Sequence, residues 1–320
     1  MSFDILGTGS RVPRKVVTND DLTEFLDTSD EWIYTRTGIR KRHVLTDETL
    51  LDLAVGSAEI ALEDAKTSPS EIGFVLAATM RGDTVTPSFA FCVAEKLGIA
   101  APAFDVNAAC VGVLYCMELA DSLISTGKAD KILIVSAEAM SKLVDWNDRA
   151  SCVLFGDGSG AMVVGKGEGR LAGILSGKPD SVSIRMPSFE GESRFNEIKA
   201  EKMVMHMDGQ EVYKFAVNAM GHEIENVCQK AGIEPAEVDW FLPHQANVRI
   251  VDACQKKFKI EKSKVLMNIA EYGNMSATSI MVLLDEFAKK GTFHRGDKLL
   301  FVAFGGGLTS GAVLIKWNKD

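Results

Sequence analysis

The feature that most constrains the fold of this chain is an internal repeat. Residues 69–76 (PSEIGFVL) resemble residues 235–242 (PAEVDWFL), and residues 130–137 (DKILIVSA) resemble residues 297–303 (DKLLFVA). The two pairs are separated by nearly the same interval, about half of the chain. Unrelated α/β domains can share such runs because buried strands resemble one another. The constant interval favours duplication of one structural unit.

Strands and helices alternate in each half. Apolar residues recur with helical spacing over 51–65 and 211–231, whereas the predicted strands are continuous apolar runs. Such runs are typical of strands covered on both faces. The pattern predicts an α/β protein with helices between and outside two sheets. Residues 166–204 are rich in Gly, Lys, Glu, Pro and Ser and have weak periodicity, so we interpret them as the connection between the halves.

Composition narrows the classes of function. Of the 320 residues, 46% are hydrophobic and 25% are charged, which is ordinary for a globular protein in water. No apolar stretch is long enough to cross a bilayer, and the N-terminus lacks a basic region, so we expect no signal peptide and a cytoplasmic location. The six cysteines form no CxxC pair, which predicts reduced thiols and no metal site. A net charge of −9 argues against nucleic acid as the partner.

Cys110 is the leading candidate for a reactive group. It lies in DVNAACVG at 105–112, between an apolar run and a helical pattern that Gly127 closes. A thiol at a helix N-terminus meets partial positive charge, so we expect the pKa of Cys110 to lie below its usual value of about 8.5. A small buried hydrophobe on a core helix is the alternative interpretation.

Three further segments place polar or glycine residues at the ends of predicted elements. His244 follows a strand that ends at Pro243, a position suited to lining a cleft, although a core or capping histidine fits as well. By the repeat interval, Asn274 falls near the counterpart of Cys110, although Asn after Gly is also common in turns. Three glycines, 305–307, let backbone N–H groups approach a ligand closely, or simply form a turn.

Four motifs identify a family. They are Asn-Ala-Ala-Cys at 107–110, Pro-His-Gln-Ala-Asn at 243–247, Tyr-Gly-Asn-x-Ser-Ala at 272–277 and Phe-Gly-Gly-Gly-x-Thr at 304–309. In this order they resemble the β-ketoacyl-acyl-carrier-protein synthase III family of thiolase-fold condensing enzymes, over essentially the whole chain. The resemblance implies an α/β, duplicated thiolase-like fold with five layers, α-β-α-β-α, and two mixed central sheets. We place its N-terminal half at residues 1–170 and its C-terminal half at residues 171–320.

The resemblance also implies the chemistry. The family's catalytic triad falls on Cys110, His244 and Asn274. Cys110 is expected to attack an acyl-CoA thioester and hold the acyl group covalently, with the backbone N–H groups of Cys110 and Gly306 as the oxyanion hole. Malonyl-acyl-carrier protein then loses CO₂, and two neutral donors, His244 and Asn274, stabilise the enolate. The implied reaction initiates type II fatty acid biosynthesis, with a CoA thioester as substrate and no cofactor.

Coenzyme A contacts are implied in the same way. Trp32 and Arg149 are expected to stack on the adenine, and Arg36 to meet the pyrophosphate region. The alternatives are an amphipathic-helix anchor for Trp32 and a solvated loop charge for Arg149. The positions expected near the pantetheine arm are Gly209, Tyr213 and Asn247.

Basic residues near the expected groove mouth suggest docking of an acidic acyl-carrier protein despite the negative net charge. Arg249 and Lys256 are seven residues apart on one face of a predicted helix. Lys257 lies beside them, and Lys214 is on another helix. Asp252 dilutes this patch, and an ordinary exposed face is the alternative interpretation.

Departures from the family pattern concern the substrate. Thr86 stands where many members carry a bulky aromatic residue that reaches across the dimer and closes the neighbouring acyl pocket. We therefore expect a homodimer and a pocket that admits a longer or branched acyl chain. Val111 and Met275 also replace the more usual residues, and residues 176–180 match the family's connecting loop poorly. Three alternatives stay open: a condensing enzyme of secondary metabolism (polyketide or quinolone type), a thioester hydrolase, and a non-enzymatic acyl-CoA binder with a misassembled triad.

Overall fold

The computed structural model describes residues 2–188, 194–195 and 201–319. Its strands are β1 (Ser2–Arg11), β2 (Lys15–Thr18), β3 (Lys41–Val44), β4 (Phe74–Ala78), β5 (Ala103–Val106), β6 (Lys131–Ala139), β7 (Asp157–Gly167), β8 (Arg170–Gly177), β9 (Ile184–Arg185), β10 (His206–Met207), β11 (Trp240–Pro243), β12 (Lys298–Gly305) and β13 (Thr309–Lys316). Its α-helices are α1 (Asn19–Leu22), α2 (Asp30–Thr37), α3 (Leu50–Asp64), α4 (Phe89–Leu97), α5 (Gly112–Ser125), α6 (Gly209–Ala231), α7 (Val248–Phe258), α8 (Ile269–Tyr272) and α9 (Thr278–Lys289). Among these described helices, none is both long and apolar enough to cross a membrane.

Two mixed sheets form the framework. The first has the order β1-β7-β6-β4-β5, and the second has the order β11-β12-β13-β8. Apart from β5 the two orders coincide, with β4, β6, β7 and β1 corresponding to β11, β12, β13 and β8. The short 3₁₀ turn Pro69–Glu71 before β4 also recurs as Pro235–Glu237 before β11. The repeat predicted from the sequence is therefore a repeat of structure.

Alternate side chains of the central strands enter different cores. On β6, Ile132 and Ile134 pack into a core with residues of α5 and α9, whereas Leu133 and Val135 join a core with α3 and α4. The residues of β12 divide in the same way between the α5–α9 core and a core with α6 and α7. Because successive side chains of a strand point to opposite faces, each sheet is covered on both sides. The structure therefore confirms the five layers. In order they are α3 with α4, the first sheet, α5 with α9, the second sheet, and α6 with α7.

Capping residues fix the helices that surround the site. The Ser29 side chain accepts the N–H of Trp32 at the start of α2, and Gly38, at φ 78°, ends that helix in the left-handed conformation that glycine favours. Asp208 caps the start of α6, and Asn247 caps the start of α7. These helices therefore begin at defined points beside the cleft.

The interpretation of residues 166–204 as a connection is wrong for its first part. Strand β7 continues to Gly167, and β8 pairs with β13 as the edge of the second sheet. The periodicity is weak there because an edge strand keeps exposed residues, such as Leu171 and Leu175. Of the rest of that segment, residues 189–193 and 196–200 lie outside the described residues. The boundary between the halves at residue 170 stays a prediction.

Candidate active site

Cys110 and Asn274 lie at the N-terminal ends of the two central helices. Cys110 belongs to a 3₁₀ turn, Ala109–Val111, that leads into α5, and Asn274 precedes α9. The ends of these helices meet: the Ser276 hydroxyl donates to the Cys110 sulfur at 3.4 Å. The internal repeat therefore brings the thiol and the asparagine loop to one place, from opposite halves of the chain.

The end of β12 approaches Cys110 closely. A Cβ atom built on Gly305 would lie 2.9 Å from the backbone nitrogen of Cys110 and 3.2 Å from its Cβ. A Cβ atom on the next residue, Gly306, would lie 3.4 Å from the Cβ of Ala109. Glycine at 305 is therefore needed for the close approach of β12 to Cys110, and Gly306 lies beside Ala109.

His244 is a buried, neutral imidazole. It directly follows β11, its backbone N–H donates to Val302 O at 2.7 Å, and its ring packs edge-on against Phe304 with the centroids 5.3 Å apart. The residue is 1% exposed, and neither ring nitrogen has a hydrogen-bond partner within the described part of the chain. Burial lowers the pKa of His244 to about 4. At neutral pH the ring is therefore uncharged and keeps one N–H to donate.

The carboxamide of Asn274 is oriented by its own loop. Its Oδ1 accepts the backbone N–H of Ser276 at 2.8 Å. Its backbone N–H donates to Leu154 O at 2.8 Å, and its carbonyl accepts the N–H of Gly156 at 3.1 Å. Because Oδ1 faces the loop, the amide nitrogen is the group left to donate to a ligand.

The expected direction of the Cys110 pKa shift is wrong. Desolvation around the thiol raises its pKa to about 11, although the residue keeps partial exposure, and the hydrogen bond from Ser276 offsets this only in part. Two structural reasons explain the difference. Helix α5 begins at Gly112, so Cys110 precedes its first α-helical turn, and the Glu138 carboxyl nearby further raises the pKa. The resting group is a thiol.

Strained backbone is concentrated at this site. Ala109, Ser276 and Leu308 have φ angles of 46°, 53° and 48°, in the left-handed region that non-glycine residues rarely adopt. Each lies beside or close to a predicted catalytic residue: Ala109 precedes Cys110, Ser276 follows the Asn274 loop, and Leu308 ends the glycine run. A non-glycine residue in this conformation destabilises the folded state by about 1–3 kcal/mol, and it persists where the surrounding packing holds the backbone in place. The packing therefore fixes the geometry of these three loops.

All six cysteines are free thiols, and of these only Cys92 and Cys110 are partly exposed. Among residues 2–188, 194–195 and 201–319, no group of three or more His, Cys, Asp or Glu side chains is arranged to hold a metal ion.

One cavity of about 320 Å³ leads from the surface to Asn274. The predicted coenzyme A residues that line it are Trp32, Arg36, Gly209, Tyr213 and Asn247, together with the predicted docking residue Arg249. Arg149 is not in this lining, but its guanidinium carbon lies 4.8 Å from the centroid of the Trp32 ring, and that of Arg36 lies 4.5 Å from it. The structure thus brings all of the predicted coenzyme A residues to one groove.

A second cavity, of about 370 Å³, lies beside Ala109 and Gly306. Sequence reasoning missed its apolar lining, since Met186 falls in the segment interpreted as a connection and Met205 directly follows that segment. Methionine without periodicity carries no signal in a sequence, so only the tertiary structure reveals them. The other residues of the lining are Met80, Asn107, Ala108, Tyr115, Ile184, Arg185 and Thr309. Thr86 is exposed and belongs to neither cavity of its own chain.

The predicted docking residues lie on neighbouring helices. Arg249, Lys256 and Lys257 are on α7, which packs against α6, and α6 carries Lys214. Two of the charges are engaged: Lys214 forms an ion pair with Glu211 at 2.7 Å, and Lys257 donates to an asparagine of α6 at 2.6 Å. Of the four residues, only Arg249 lines the 320 Å³ cavity, and docking there stays a prediction.

Comparison with known proteins supports one family. Residues 104–181 match the model of 3-oxoacyl-[acyl-carrier-protein] synthase III, and residues 228–317 match the model of its C-terminal part. The curated β-ketoacyl-[acyl-carrier-protein] synthase III of Desulfitobacterium hafniense is 45% identical over 329 residues, covering 100% of this chain and 99% of that protein. The crystal structure of 3-oxoacyl-[acyl-carrier-protein] synthase III from Aquifex aeolicus has a TM-score of 0.92 at 42% identity, with 98% and 100% of the two chains covered. The priming β-ketosynthase of the R1128 polyketide pathway also has a TM-score of 0.92, at 30% identity, with 99% and 97% covered.

Proposed function

The chain belongs to the 3-oxoacyl-[acyl-carrier-protein] synthase III family, and from that premise we propose that Cys110, His244 and Asn274 carry out its chemistry. The enzyme is an acyltransferase that condenses an acyl-CoA primer with malonyl-acyl-carrier protein, which initiates fatty acid biosynthesis. The products are a β-ketoacyl-acyl-carrier protein, CoA and CO₂. One observation carries the residue assignment: the N-terminal ends of α5 and α9 and the end of β12 converge on one sulfur.

In the first step Cys110 takes the acyl group. The thiol loses its proton as the S–C bond forms, and the CoA sulfur gains a proton as its bond to the acyl carbon breaks, so the step is proton-neutral. Negative charge develops on the acyl oxygen of the tetrahedral intermediate. The backbone N–H groups of Cys110 and Gly306 are the proposed donors for that oxygen, and the close approach of Gly305 to Cys110 supports this assignment.

In the second step malonyl-acyl-carrier protein loses CO₂. The electron pair of the breaking C–C bond passes into the thioester, so negative charge builds on its oxygen and no proton has to be removed. The neutral His244 ring and the amide nitrogen of Asn274 can donate to that oxygen without acting as bases. The carbon nucleophile then attacks the acyl-cysteine, the S–C bond breaks, and the Cys110 sulfur leaves as a thiolate that takes up one proton from water to restore the resting thiol. These steps need no metal or cofactor.

Coenzyme A is proposed to lie in the 320 Å³ cavity, with its adenine between Trp32 and Arg149. A planar ring stacked between the Trp32 ring and the Arg149 guanidinium needs about 7 Å between those two groups, twice the usual contact distance. The guanidinium carbon of Arg149 now lies 4.8 Å from the centroid of the Trp32 ring, so the Arg149 side chain must move away when the adenine binds. That side chain is 43% exposed and paired with Asp27 at the surface, so the movement costs little.

The second cavity is proposed to receive the acyl chain, and a second copy of the chain is proposed to close it. Strand β5 is the edge of the first sheet and leaves one side of its backbone unpaired within the described sheet. Exposed apolar side chains lie on or near it: Phe104 on the strand, Phe91 on α4 and Val85 beside Thr86. An exposed edge with apolar neighbours favours pairing with another copy. Such a homodimer would bring Thr86 towards the acyl cavity of the partner subunit.

The basic residues of α6 and α7 support docking of the acidic carrier protein at the mouth of the first cavity. Arg249 also lines that cavity, so a carrier protein bound there would deliver its pantetheine arm directly. We place the enzyme in the cytoplasm, because six free thiols in one chain suit a reducing compartment. Charge-reversing Arg249→Glu should raise the KM for malonyl-acyl-carrier protein more than the KM for acyl-CoA.

One assay tests the residue assignment. The enzyme is incubated with labelled acyl-CoA and malonyl-acyl-carrier protein, and acyl-enzyme, CO₂ and product are measured. We expect Cys110→Ser to abolish acyl transfer and Cys92→Ser, the other partly exposed thiol, to retain it. His244→Ala and Asn274→Ala should still form acyl-enzyme but lose decarboxylation. Condensation by the Cys110→Ser protein would contradict the assignment, release of free acid would indicate a hydrolase, and absence of acyl-enzyme in the parent protein would indicate a binder.

A condensing enzyme of secondary metabolism is the second candidate. The structural similarity to the priming β-ketosynthase of the R1128 pathway favours it, because that protein shares the fold at 30% identity. The two functions use the same residues and differ in the acyl acceptor. Competition between a fatty-acid carrier protein and a polyketide carrier protein, each charged with malonate, would separate them by the ratio of kcat/KM.

A further inference from the structure

Gln245, the residue after His244, connects the histidine segment to the segment that leads to Asn274. Its side chain belongs to a residue that is 1% exposed. Its Oε1 accepts the backbone N–H groups of Asn268 and Ile269, at 2.8 and 2.9 Å, and its Nε2 donates to Asn268 Oδ1 at 3.0 Å. All three hydrogen bonds are buried and join residues that are 23 or 24 positions apart in the chain. The condensation chemistry described above does not use this side chain.

The two backbone N–H groups lie at the start of α8, a helix of four residues. The first N–H groups of an α-helix have no partner within the helix, and the Asn268 side chain does not cap this one. That side chain is held elsewhere, since its Nδ2 donates to Glu286 Oε2 of α9 at 2.8 Å. The Gln245 oxygen therefore supplies the acceptor that α8 lacks. A helix this short is not stable by itself, so contacts with the rest of the protein determine where it lies.

The position of α8 determines the position of Asn274. The N–H of Gly273 donates to Ile269 O at 2.9 Å and ends the helix, and Asn274 is the next residue. Before α8, the same segment runs parallel to β11, where the N–H of Leu266 donates to Phe241 O at 3.0 Å. Further along, the Gln245 side chain continues this connection up to the first turn of α8.

His244 and Asn274 are also anchored to different sheets. The backbone N–H of His244 donates to Val302 O on β12, in the second sheet, at 2.7 Å. The backbone N–H of Asn274 donates to Leu154 O, shortly before β7 of the first sheet, at 2.8 Å. Neither of these bonds sets the distance between the two residues. The hydrogen bonds of Gln245 connect the two segments directly.

We propose that Gln245 is a positioning residue for decarboxylation, which holds the Asn274 amide at the distance from the His244 ring that the enolate oxygen requires. Both groups must donate to one oxygen, so an error in their spacing leaves one donor misplaced. Gln245 lines neither of the cavities that the described residues form beside the triad, so it acts through its neighbours. Acyl transfer uses Cys110 and backbone N–H groups instead, and it does not depend on this spacing.

This inference rests on the proposed roles of His244 and Asn274, and rates of the separate steps test it. Acyl-enzyme formation from acyl-CoA is measured in a single turnover. CO₂ release is then measured after the acyl-enzyme is mixed with saturating malonyl-acyl-carrier protein. In Gln245→Met, with an apolar side chain of similar length, the start of α8 loses its acceptor. CO₂ release should slow by roughly 10-fold to 100-fold, because a displacement of about 1 Å can cost about 100-fold, and acyl-enzyme formation should change less than about 2-fold.

Amide hydrogen exchange reports the connection itself. The peptide that covers residues 266–272 should exchange faster in Gln245→Met, whereas the peptide that contains Cys110 should exchange as in the parent protein. Trp240→Phe is the matched control. It removes the hydrogen bond from Trp240 Nε1 to Asp297 Oδ2, 3.0 Å long, at the other end of β11. This control should lower the melting temperature without separating the two rates.

Gln245→Glu tests the pattern of hydrogen bonds at nearly constant volume. A protonated carboxyl offers a carbonyl acceptor and an O–H donor, as the amide does, whereas an ionised one offers acceptors alone and would place one against Asn268 Oδ1. Burial and that contact raise the pKa of the introduced carboxyl. CO₂ release by Gln245→Glu should therefore lie within about 3-fold of the parent at pH 5.5 and fall at pH 8. Gln245→Met should be slow at both pH values.

Two results with a folded Gln245→Met protein overturn the proposal: equal slowing of acyl-enzyme formation and CO₂ release, or CO₂ release at the parent rate. A Gln245→Glu protein as slow as Gln245→Met at both pH values also overturns it. Thermal unfolding and CoA binding report folding, and if Gln245→Met does not fold, the pH profile of Gln245→Glu decides. Failure of the proposed function would show separately, as absence of acyl-enzyme and of CO₂ release in the parent protein.

Discussion

Replacing Gly305 with alanine tests whether the close approach of β12 to Cys110 sets the catalytic geometry. The added Cβ would lie 2.9 Å from the backbone nitrogen of Cys110, whereas ordinary contacts begin at 3.4 Å. The contacting atoms belong to backbone and to Cβ, so no side chain can rotate away. The φ angle of Gly305 is −168°, extended backbone that alanine adopts freely, so the effect is steric only.

The size of the effect follows from that overlap. Relief requires β12 and the Cys110 turn to separate by about 0.5 Å, and a displacement of about 1 Å can cost roughly 100-fold in rate. We therefore expect acyl transfer to slow by about 10-fold, or about 1.4 kcal/mol of barrier. Overpacking of a tight core costs about 1–3 kcal/mol of stability. A loss of stability of this size lowers the melting temperature by several degrees and leaves the fold intact.

The assay is the single-turnover rate of acyl-enzyme formation, measured by mass spectrometry, beside the Kd for CoA. The Kd should change less than about 2-fold, because the 320 Å³ cavity proposed for coenzyme A does not include Gly305. Gly177→Ala is the matched control, since a Cβ there meets nothing within 4 Å. A folded Gly305→Ala enzyme that acylates at the parent rate would refute the argument that this contact sets the geometry.

Three further predictions follow from the site. Burial lowers the pKa of His244 to about 4, so the ring stays neutral down to about pH 5. The rate of malonyl-acyl-carrier-protein decarboxylation by the Cys110→Ala protein should therefore be constant from pH 8 to pH 5 and fall only near pH 4. A fall with its midpoint near the unperturbed histidine pKa of about 6.5 would contradict this. Trp32→Ala should raise the KM for acyl-CoA by about 10-fold with kcat nearly unchanged, whereas a fall in kcat alone would exclude a binding role. Thr86→Phe should abolish use of long or branched primers while acetyl-CoA is retained, and primer competition assays measure the ratio.

Much of the fold could be predicted because repetition and periodicity are local properties of a sequence. The match of residues 69–76 with 235–242 predicted equivalent strands, and the structure has them, each after a 3₁₀ turn. The strand β8 was missed, because an edge strand with exposed leucines lacks the continuous apolar run of a central strand. The repeat also placed Asn274 opposite Cys110, and the structure joins their loops through Ser276.

Electrostatic properties of the site could not be predicted in the same way. A helix N-terminus suggested a lowered pKa for Cys110, whereas desolvation and the nearby Glu138 raise it. Glu138 and Cys110 lie on different elements, β6 and the turn before α5, and no local pattern connects them. The pKa of a buried group depends on every neighbour in space. Sequence motifs therefore name the reacting groups without giving their protonation states.

By itself, the sequence determined the duplicated α/β architecture, the family and the identity of the residues that the motifs carry. The architecture, the family and these residues can be recognised from spacing and residue type, which are properties of the sequence itself. Only the tertiary structure decided the neutral state of His244, the thiol state of Cys110 and the methionine-lined cavity beside Ala109. These depend on burial and on contacts between residues far apart in sequence, which exist only after the two halves pack around α5 and α9.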